Sequence, residues 1–378
     1  MKCVIINRNY PPQKGITGHS ANELANYLLN KGVDIDIVHV DGKYAGGGQL
    51  ESKVFGKVFT VKTMYNGKNK FLRFLTFLIE GRALLKKTIS LKPDVIIAMT
   101  DPPLLNYWAA LYSKKYNIPW IYWTMDLFPE AFAAAGLIRK KNFLYKYFKK
   151  KLLNITPKFL ICLGPRQANY INENLIKKAK AIILPCGISN STKNFESLDL
   201  DFGGKISLCY AGNLGDAHDE NFLRHVIDSI DPRRHVLVLA LYGVKAKKFI
   251  DYAENKEGII LLDSIKRENM HSIDIHLVSL KSKWEHIAVP SKAITAVSEG
   301  STILFNCSAS SAKENDNWIL LKESGWRINS DPDKIYAFMK NITHNEIIKK
   351  REKARMISLK LQKLKNKAFL DIYKGISE

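Results

Sequence analysis

The chain has 378 residues, of which 46% are hydrophobic and 25% charged, a composition typical of a soluble globular protein with material for two domains. Its formal net charge of +22 predicts an anionic partner. The five cysteines are widely spaced without a CxxC pair or Cys/His cluster, which argues against zinc and favours reduced thiols. Without a signal peptide or a run of eighteen apolar residues, the sequence predicts a cytoplasmic protein.

Strands and helices alternate from the first residues onward. KCVIIN (2–7) predicts a strand, HSANELANYLLNKG (19–32) a helix with one apolar face, and VDIDIVHV (33–40) a second strand. The alternation continues to AIILPCG (181–187). Short connections between alternating elements predict a mainly parallel, doubly wound α/β sheet.

Two loops of this first half carry candidate site residues. Gly15, Thr17 and Gly18 follow the first strand, where small residues let backbone approach an anionic ligand; a structural GxxG turn is the alternative. Asp126 ends an apolar strand and Glu130 follows four residues later. A carboxylate at a strand tip can take a proton or hold a sugar hydroxyl, so we predict both as catalytic, with helix capping by Asp126 as the alternative.

Positive charge is concentrated in the first half of the chain. Residues 1–200 contain 30 Lys and Arg against 13 Asp and Glu, whereas residues 201–378 contain 28 against 23. Segments 69–91 and 139–153 interleave aromatic and apolar residues with lysines and arginines, a pattern that suits an anionic membrane surface. The alternative is an apolar stripe on the domain core with a solvated basic face. Nucleic acid is not predicted, because no recognition motif accompanies the charge.

The strand–helix alternation lapses at residues 187–204, where the sequence ISNSTKNFESLDLDFGG is polar and ends in two glycines. This stretch predicts a linker between two domains. We therefore predict an N-terminal domain over residues 1–195, a C-terminal domain over 196–345 and a helical tail over 346–378. Each domain would be Rossmann-like, and the two would face each other across a cleft, where strand carboxyl ends meet.

The second domain repeats the alternation with five predicted strands: KISLCYAG (205–212), HVLVLALYG (235–243), GIILLD (258–263), IDIHLVSL (273–280) and STILFNC (301–307). After the fourth strand, the loop WEHIAVPSK leads into a helix predicted to begin at Lys292, with Ser291 as its N-cap. A helix N-terminus with a lysine favours anion binding, although an ordinary capped loop is the alternative. The residues assigned to a donor in this domain are Gly212, Asn213, Leu214, Tyr242, Lys281, Glu285, Pro290, Ser291 and Lys292.

Five motifs in this order resemble glycosyltransferase family 4: PPQKGITG, PDVIIAMTDPPLL, DLFPE, YAGNLG, and HLVSLK followed by EHIAVPSK. The nearest part of the family builds bacterial O-antigen and capsule repeat units, and the resemblance covers about residues 1–330. It implies the two-domain GT-B fold, a nucleotide-sugar donor held mostly by the second domain, an acceptor held by the first, no metal or other cofactor, and retention at the anomeric carbon.

The sequence departs from the family pattern in two places. Most members carry two glutamates eight positions apart near Glu285, whereas here the second place is taken by Lys292. The phosphate-binding Arg/Lys pair expected after YAGNLG is absent, so that Lys292, Lys281 or Lys283 would supply the charge.

The function implied is a hexosyltransferase that moves a sugar from a nucleotide-diphosphate sugar, UDP-linked, to a lipid-diphosphate-linked saccharide. The enzyme would lie peripherally on the inner face of the cell membrane. The alternatives are a sugar-nucleotide 2-epimerase of similar fold and a non-catalytic membrane-surface scaffold.

Overall fold

The computed structural model describes residues 1–13, 15–41, 53–63, 70–189, 198–243, 245–307 and 315–378. The chain divides into two compact units. Unit 1 comprises Met1–Cys186 and Asn366–Glu378, and unit 2 comprises Gly187–Lys365. The change from one unit to the other thus comes earlier than the predicted boundary at residue 195, and the end of the predicted tail belongs to unit 1.

Unit 1 is built on one sheet with helices between its strands. Its elements are β1 (Lys2–Ile6), α1 (Ile16–Asn30), β2 (Asp34–Asp41), β3 (Lys57–Lys62), α2 (Lys70–Ser90), β4 (Val95–Ala98), α3 (Leu105–Tyr116), β5 (Trp120–Trp123), α4 (Glu130–Ala134), α5 (Phe143–Leu153), β6 (Leu160–Cys162), α6 (Pro165–Asn174) and β7 (Ala181–Ile183).

The seven strands of this sheet run in the order β3-β2-β1-β4-β5-β6-β7, and every neighbouring pair is parallel. β1 and β4 are buried along nearly their whole length, as expected for apolar strands covered by helices on both faces. The chain leaves β1 toward β2 and returns on its other side as β4. This reversal of strand order is where parallel sheets open a crevice for ligands.

Unit 2 repeats the plan. Its elements are β8 (Ile206–Asn213), α7 (Glu220–Asp228), β9 (His235–Tyr242), α8 (Ala246–Ala253), β10 (Ile259–Leu261), β11 (Ile275–Ser279), α9 (Ser291–Ser298), β12 (Thr302–Asn306), α10 (Asp316–Leu321), β13 (Gly325–Ile328) and α11 (Pro332–Asn341). Short 3₁₀ turns cover Arg267–Ser272, Ser282–Trp284 and Lys322–Ser324. The last helix, α12 (His344–Ser377), begins in unit 2 and ends in unit 1.

The six strands of unit 2 are also all parallel, in the order β10-β9-β8-β11-β12-β13. Strand order reverses between β8 and β11. The fold class predicted from the sequence, an α/β protein with two Rossmann-like sheets, is therefore confirmed.

Two strands escaped the sequence prediction. β3 and β13 lie at the outer edges of their sheets and are largely exposed or half-buried, so they lack the long apolar run of the central strands. Part of the predicted linker, residues 190–197, lies outside the described residues. Its later part is packed: Leu198, Leu200 and Phe202 lie against a buried cluster formed by Cys209, Val238 and Ile273.

None of the helices in the described ranges combines the length and the apolar composition required to cross a membrane.

Candidate functional site

The carboxyl ends of β8 and β11 form the candidate site of unit 2. Two backbone N–H groups tie the loop after β8 to the end of β11 and the loop after it: that of Asp219 donates to Ser279 Oγ at 2.7 Å, and that of Lys281 donates to the Ala217 carbonyl at 2.8 Å. Because strand order reverses here, this is the position at which an open parallel sheet binds its ligand.

The N-terminus of α9 lies beside these loops and differs in detail from the prediction. α9 begins at Ser291 rather than Lys292, and Pro290 takes the N-cap position without a side-chain cap. Ser291 is therefore the first residue of the helix and is not its N-cap, which corrects the prediction. The carbonyl of Pro290 accepts a hydrogen bond from Asn317 Nδ2 at 2.7 Å, which anchors the turn before the helix.

Lys292 reaches back from α9 to the end of β8. Its Nζ donates to the Asn213 carbonyl at 2.8 Å and stands 4.1 Å from the centre of the Tyr210 ring. Gly212 makes this possible: its φ is +111°, and a Cβ there would lie 2.9 Å from Lys292 Cε. Lys292 is half-buried, and the desolvation of its ammonium group against this part of the protein lowers the pKa of Lys292 to about 7.

His218 marks the point on which three lysines converge. Its Nδ1 lies 2.8 Å from the Ser279 carbonyl, so Nδ1 carries the ring hydrogen and Nε2 is left as an acceptor. Burial, together with the charges of Lys292, Lys245 and Lys281, lowers the pKa of His218 to about 3. The ring is therefore neutral at physiological pH in a strongly positive environment.

Lys281 and Lys245 differ in how their charges are balanced. Lys281 Nζ donates to the Asp216 carbonyl at 3.4 Å, and burial together with nearby Lys245 lowers its pKa. Lys245 Nζ lies 2.6 Å from Glu220 Oε1 and 3.6 Å from Asp216 Oδ1; burial opposes its charge, but these carboxylates outweigh burial and raise its pKa. Sequence reasoning missed Lys245, since it belongs to no motif and reaches the site only through the β9–α8 connection.

The remaining donor residues divide into two groups. Asn213 is exposed and Tyr242 is 37% exposed, and both end neighbouring strands at the site. Leu214 is fully buried in the core of unit 2, where its backbone N–H donates to the Tyr242 carbonyl at 2.8 Å, so its side chain serves packing. Glu285 follows the 3₁₀ turn after β11; burial raises the pKa of the nearby Cys307 thiol, and the charge of Glu285 adds to this effect.

In unit 1 the glycine-rich loop packs on the end of β1. Lys14 of this motif lies outside the described residues. A Cβ at Gly18 would lie 2.7 Å from the backbone oxygen of Asn9, so glycine is required there by contact with protein. Thr17 Oγ1 accepts from Asn7 Nδ2 at 3.2 Å, and Gly15 precedes α1 as an extended N-cap. The structural explanation thus accounts for Gly18, and ligand binding by Gly15 and Thr17 stays a prediction.

Asp126 lies beyond the carboxyl end of β5. It does not cap a helix in the described structure, since α4 begins at Glu130 with Pro129 in the N-cap position. Asp126 is exposed, but desolvation by the neighbouring protein and the nearby carboxylate of Asp101 raise its pKa to about 6. Asp101 is itself held by Asn9, whose Nδ2 donates to Asp101 Oδ2 at 2.8 Å. A carboxylate of this kind can exchange a proton near neutral pH.

Glu130 has a different environment from Asp126. It is 6% exposed, accepts a hydrogen bond from Tyr170 Oη at 2.8 Å and pairs with Lys149 Nζ at 3.3 Å. Lys149 also donates to Tyr170 Oη at 2.9 Å, which closes a triangle of mutual contacts. This arrangement favours a structural role, while the predicted catalytic role of Glu130 stays a prediction.

No group of three or more His, Cys, Asp or Glu side chains in the described ranges is arranged to hold a metal ion. The expectation of a metal-independent protein without a cofactor stays a prediction.

No protein-family model matches the chain, and no curated protein matches it. Solved structures do match over its whole length. WaaG, a glycosyltransferase involved in lipopolysaccharide biosynthesis, is 14% identical with a TM-score of 0.68, covering 99% of this chain and 100% of its own. An E. coli structure described as trehalose-6-phosphate bound with UDP-2-fluoro glucose is 11% identical with a TM-score of 0.69, covering 100% of this chain and 99% of its own.

The chain has the GT-B fold. A UDP-N-acetylglucosamine 2-epimerase also matches, at 10% identity and a TM-score of 0.61, over 94% of this chain and 90% of its own. At such identities the similarity establishes the fold alone.

Proposed function

We propose that the protein is a glycosyltransferase that takes a sugar from a nucleoside-diphosphate sugar, UDP-linked, held by unit 2. The observation that carries the proposal is the convergence of Lys292, Lys281 and Lys245 on the carboxyl edge of the sheet, at the point where strand order reverses. Positive charge and helix N–H groups at such a place suit a diphosphate.

The chemistry of transfer assigns roles to these groups. Negative charge develops on the diphosphate oxygen as the sugar leaves, and fixed positive groups stabilise it. Lys292 and the N-terminus of α9 would bind that oxygen, with Lys281 beside them. Asp126 would hold or deprotonate the acceptor hydroxyl. Retention at the anomeric carbon and independence from metal are part of this proposal.

The acceptor we propose is a lipid-diphosphate-linked saccharide used in bacterial O-antigen or capsule synthesis. Support comes from α2, α3 and α5, which pack side by side in unit 1. Gly81 of α2 lets the Trp108 ring approach, and Tyr107 of α3 packs edge-on against Phe148 of α5 at 5.1 Å. This aromatic packing holds the three helices as one layer, which we call the α2–α3–α5 layer.

The α2–α3–α5 layer exposes apolar side chains next to lysines. The exposed apolar residues are Leu72, Leu75 and Ile79 on α2, and Phe143, Leu144 and Tyr147 on α5. Leu72, Leu75 and Ile79 follow a helical spacing, so they share one face. Phe143 is 74% exposed. Apolar side chains among exposed lysines suit attachment to an anionic bilayer, so we propose peripheral binding at the inner face of the membrane.

The first experiment is a thermal-shift screen of the full chain with UDP, GDP, ADP and dTDP and their sugars. A nucleotide present at 100 times its dissociation constant stabilises the folded state by about 2.7 kcal/mol. We expect UDP or UDP-sugars to raise the melting temperature. Absence of any shift across the panel would contradict the donor site and favour a non-catalytic scaffold.

A flotation assay tests the membrane surface. The protein should float with anionic vesicles and less so as salt rises. Changing Lys140, Lys141, Lys146 and Lys150 to Gln should reduce flotation; Lys149 is spared because it pairs with Glu130. The matched control changes four exposed lysines of unit 2, Lys334, Lys340, Lys349 and Lys353, to Gln. Equal loss in both variants would mean that only total charge matters, and no flotation of the parent would remove the lipid-linked acceptor.

A further inference from the structure

The surroundings of Lys292 leave its charge without an acidic partner. Its Nζ contacts a backbone carbonyl, that of Asn213, and the face of the Tyr210 ring. In the part of the chain that the structure describes, no carboxylate lies within ion-pair distance of Lys292, whereas Lys245 pairs with Glu220 and Asp216. An ammonium group that is packed against protein and has no carboxylate partner gives up its proton more readily than a fully solvated one.

The cysteine, tyrosine and histidine side chains around Lys292 stay uncharged near neutral pH. On β8, burial raises the pKa of Cys209 to about 12 and that of Tyr210 further, and on β9 burial raises that of Tyr242. His218 is neutral because its pKa is lowered to about 3. Burial also lowers the pKa of Lys281. An experiment must therefore distinguish proton uptake by Lys292 from proton uptake by Lys281.

The charged side chains of the other elements packed against α9 lie at a distance from Lys292. Arg267 and His271 of the 3₁₀ turn before β11 act on Glu299, at the opposite end of the helix. Asp316 begins α10 and is buried. Among the described residues, none of these groups is within ion-pair distance of Lys292.

We propose that binding of a nucleoside diphosphate in unit 2 is coupled to uptake of a proton by Lys292. This inference rests on the proposed function, because it requires the diphosphate to bind beside α9. The empty site holds Lys292 partly as the neutral amine; the diphosphate and one proton from solvent enter together, and the amine becomes an ammonium group opposite the phosphate oxygens. When the nucleoside diphosphate leaves, the proton returns to solvent.

Proton linkage sets the direction of the pH dependence. The pKa of Lys292 is about 7 in the empty site and rises when an anion binds. Affinity is therefore fully present only well below pH 7, and it falls as the pH rises through the pKa of Lys292. Once the pH exceeds the pKa of Lys292 in the empty site, the dissociation constant should rise by about tenfold per pH unit, and proton uptake should approach one proton per nucleotide bound.

Isothermal titration calorimetry of the full chain tests this coupling, with whichever of UDP, GDP, ADP and dTDP binds tightest as the probe. The same titration in buffers of different ionisation enthalpy gives the number of protons taken up. Lys292→Arg keeps a permanent charge and should bind without this uptake, and Lys292→Met should bind more weakly, with little pH dependence. Subtracting the proton uptake of a variant from that of the parent also cancels the protons that the nucleotide itself exchanges on binding.

Two controls separate Lys292 from other lysines. Lys281→Arg should retain the proton uptake of the parent, as should Lys334→Arg on the exposed face of α11. If the parent binds the nucleotide tightly but takes up the same number of protons as Lys292→Met, the inference is overturned. The proposed function would still stand in that case. Loss of proton uptake in Lys281→Arg would assign the titrating group to Lys281 and overturn the inference. If none of the four nucleotides binds the parent, both proposals fall.

Discussion

Gly212 offers the sharpest structural test of how Lys292 is held. Gly212→Ala places a side chain at φ +111°, where an added Cβ would lie 2.9 Å from Lys292 Cε. The backbone strain and the displaced lysine together should cost about 2–3 kcal/mol. For a unit of this size, that lowers the melting temperature by roughly 4–12 °C.

The matched control is Gly203→Ala. Gly203 also has a positive φ, +56°, but a Cβ there would meet nothing within 4 Å. Its cost should be confined to the backbone, about 1 kcal/mol. Melting curves report the stability of each variant, and titration with UDP reports the affinity. Gly212→Ala should weaken UDP binding at least fivefold, whereas Gly203→Ala should leave it unchanged. Equal melting shifts in the two variants, with parental UDP affinity in both, would refute the contact with Lys292.

Three further changes test the assigned roles. Lys292→Glu should weaken nucleotide binding more than Lys292→Ala does, at least 100-fold against the parent by titration, because it sets like charge against the diphosphate; parental affinity would remove Lys292 from the site. In the parent we expect the transfer rate to rise as pH increases through about 6, where the Asp126 carboxyl group ionises. Asp126→Asn should abolish this rise without lowering the melting temperature. Normal transfer by the variant would remove Asp126 from catalysis. Glu130→Gln should lower stability by about 1–3 kcal/mol in denaturant titrations, because Lys149 loses its partner, while UDP affinity stays parental; lost transfer with unchanged stability would return Glu130 to the catalytic set.

Central strands were predictable because burial on both faces leaves an uninterrupted apolar run, as in β1 and β11. The edge strands β3 and β13 lack this signal. Residues 333–374 carry a continuous helical pattern rich in lysine and leucine, but the structure divides this region into two helices, α11 and α12, separated at residues 342–343. A period of 3.6 residues indicates helix on both sides of such a break, so the pattern alone does not locate it.

The candidate site was less accessible to sequence reasoning than the fold. Lys292 stood out because it lies in the first turn of a helix that follows a strand, which is a local signal. Lys245 and the neutral state of His218 depend on which loops meet at the end of the sheet, and no local pattern encodes that meeting. The ion pair between Glu130 and Lys149 likewise depends on tertiary structure, because the two residues lie on different helices, α4 and α5. A carboxylate predicted as catalytic from the sequence is thus buried beside a half-buried lysine.

Product analysis tests the central claim most directly. The full chain is incubated with a radiolabelled UDP-sugar and a polyprenyl-diphosphate-linked saccharide, and the products are separated as lipid-linked saccharide, free sugar and sugar nucleotide. We predict that label enters the lipid-linked fraction with release of UDP, and that Lys292→Met loses this transfer while retaining the parental fold by circular dichroism. Conversion of the UDP-sugar into its 2-epimer, or unaltered substrates alongside tight UDP binding, would contradict glycosyl transfer.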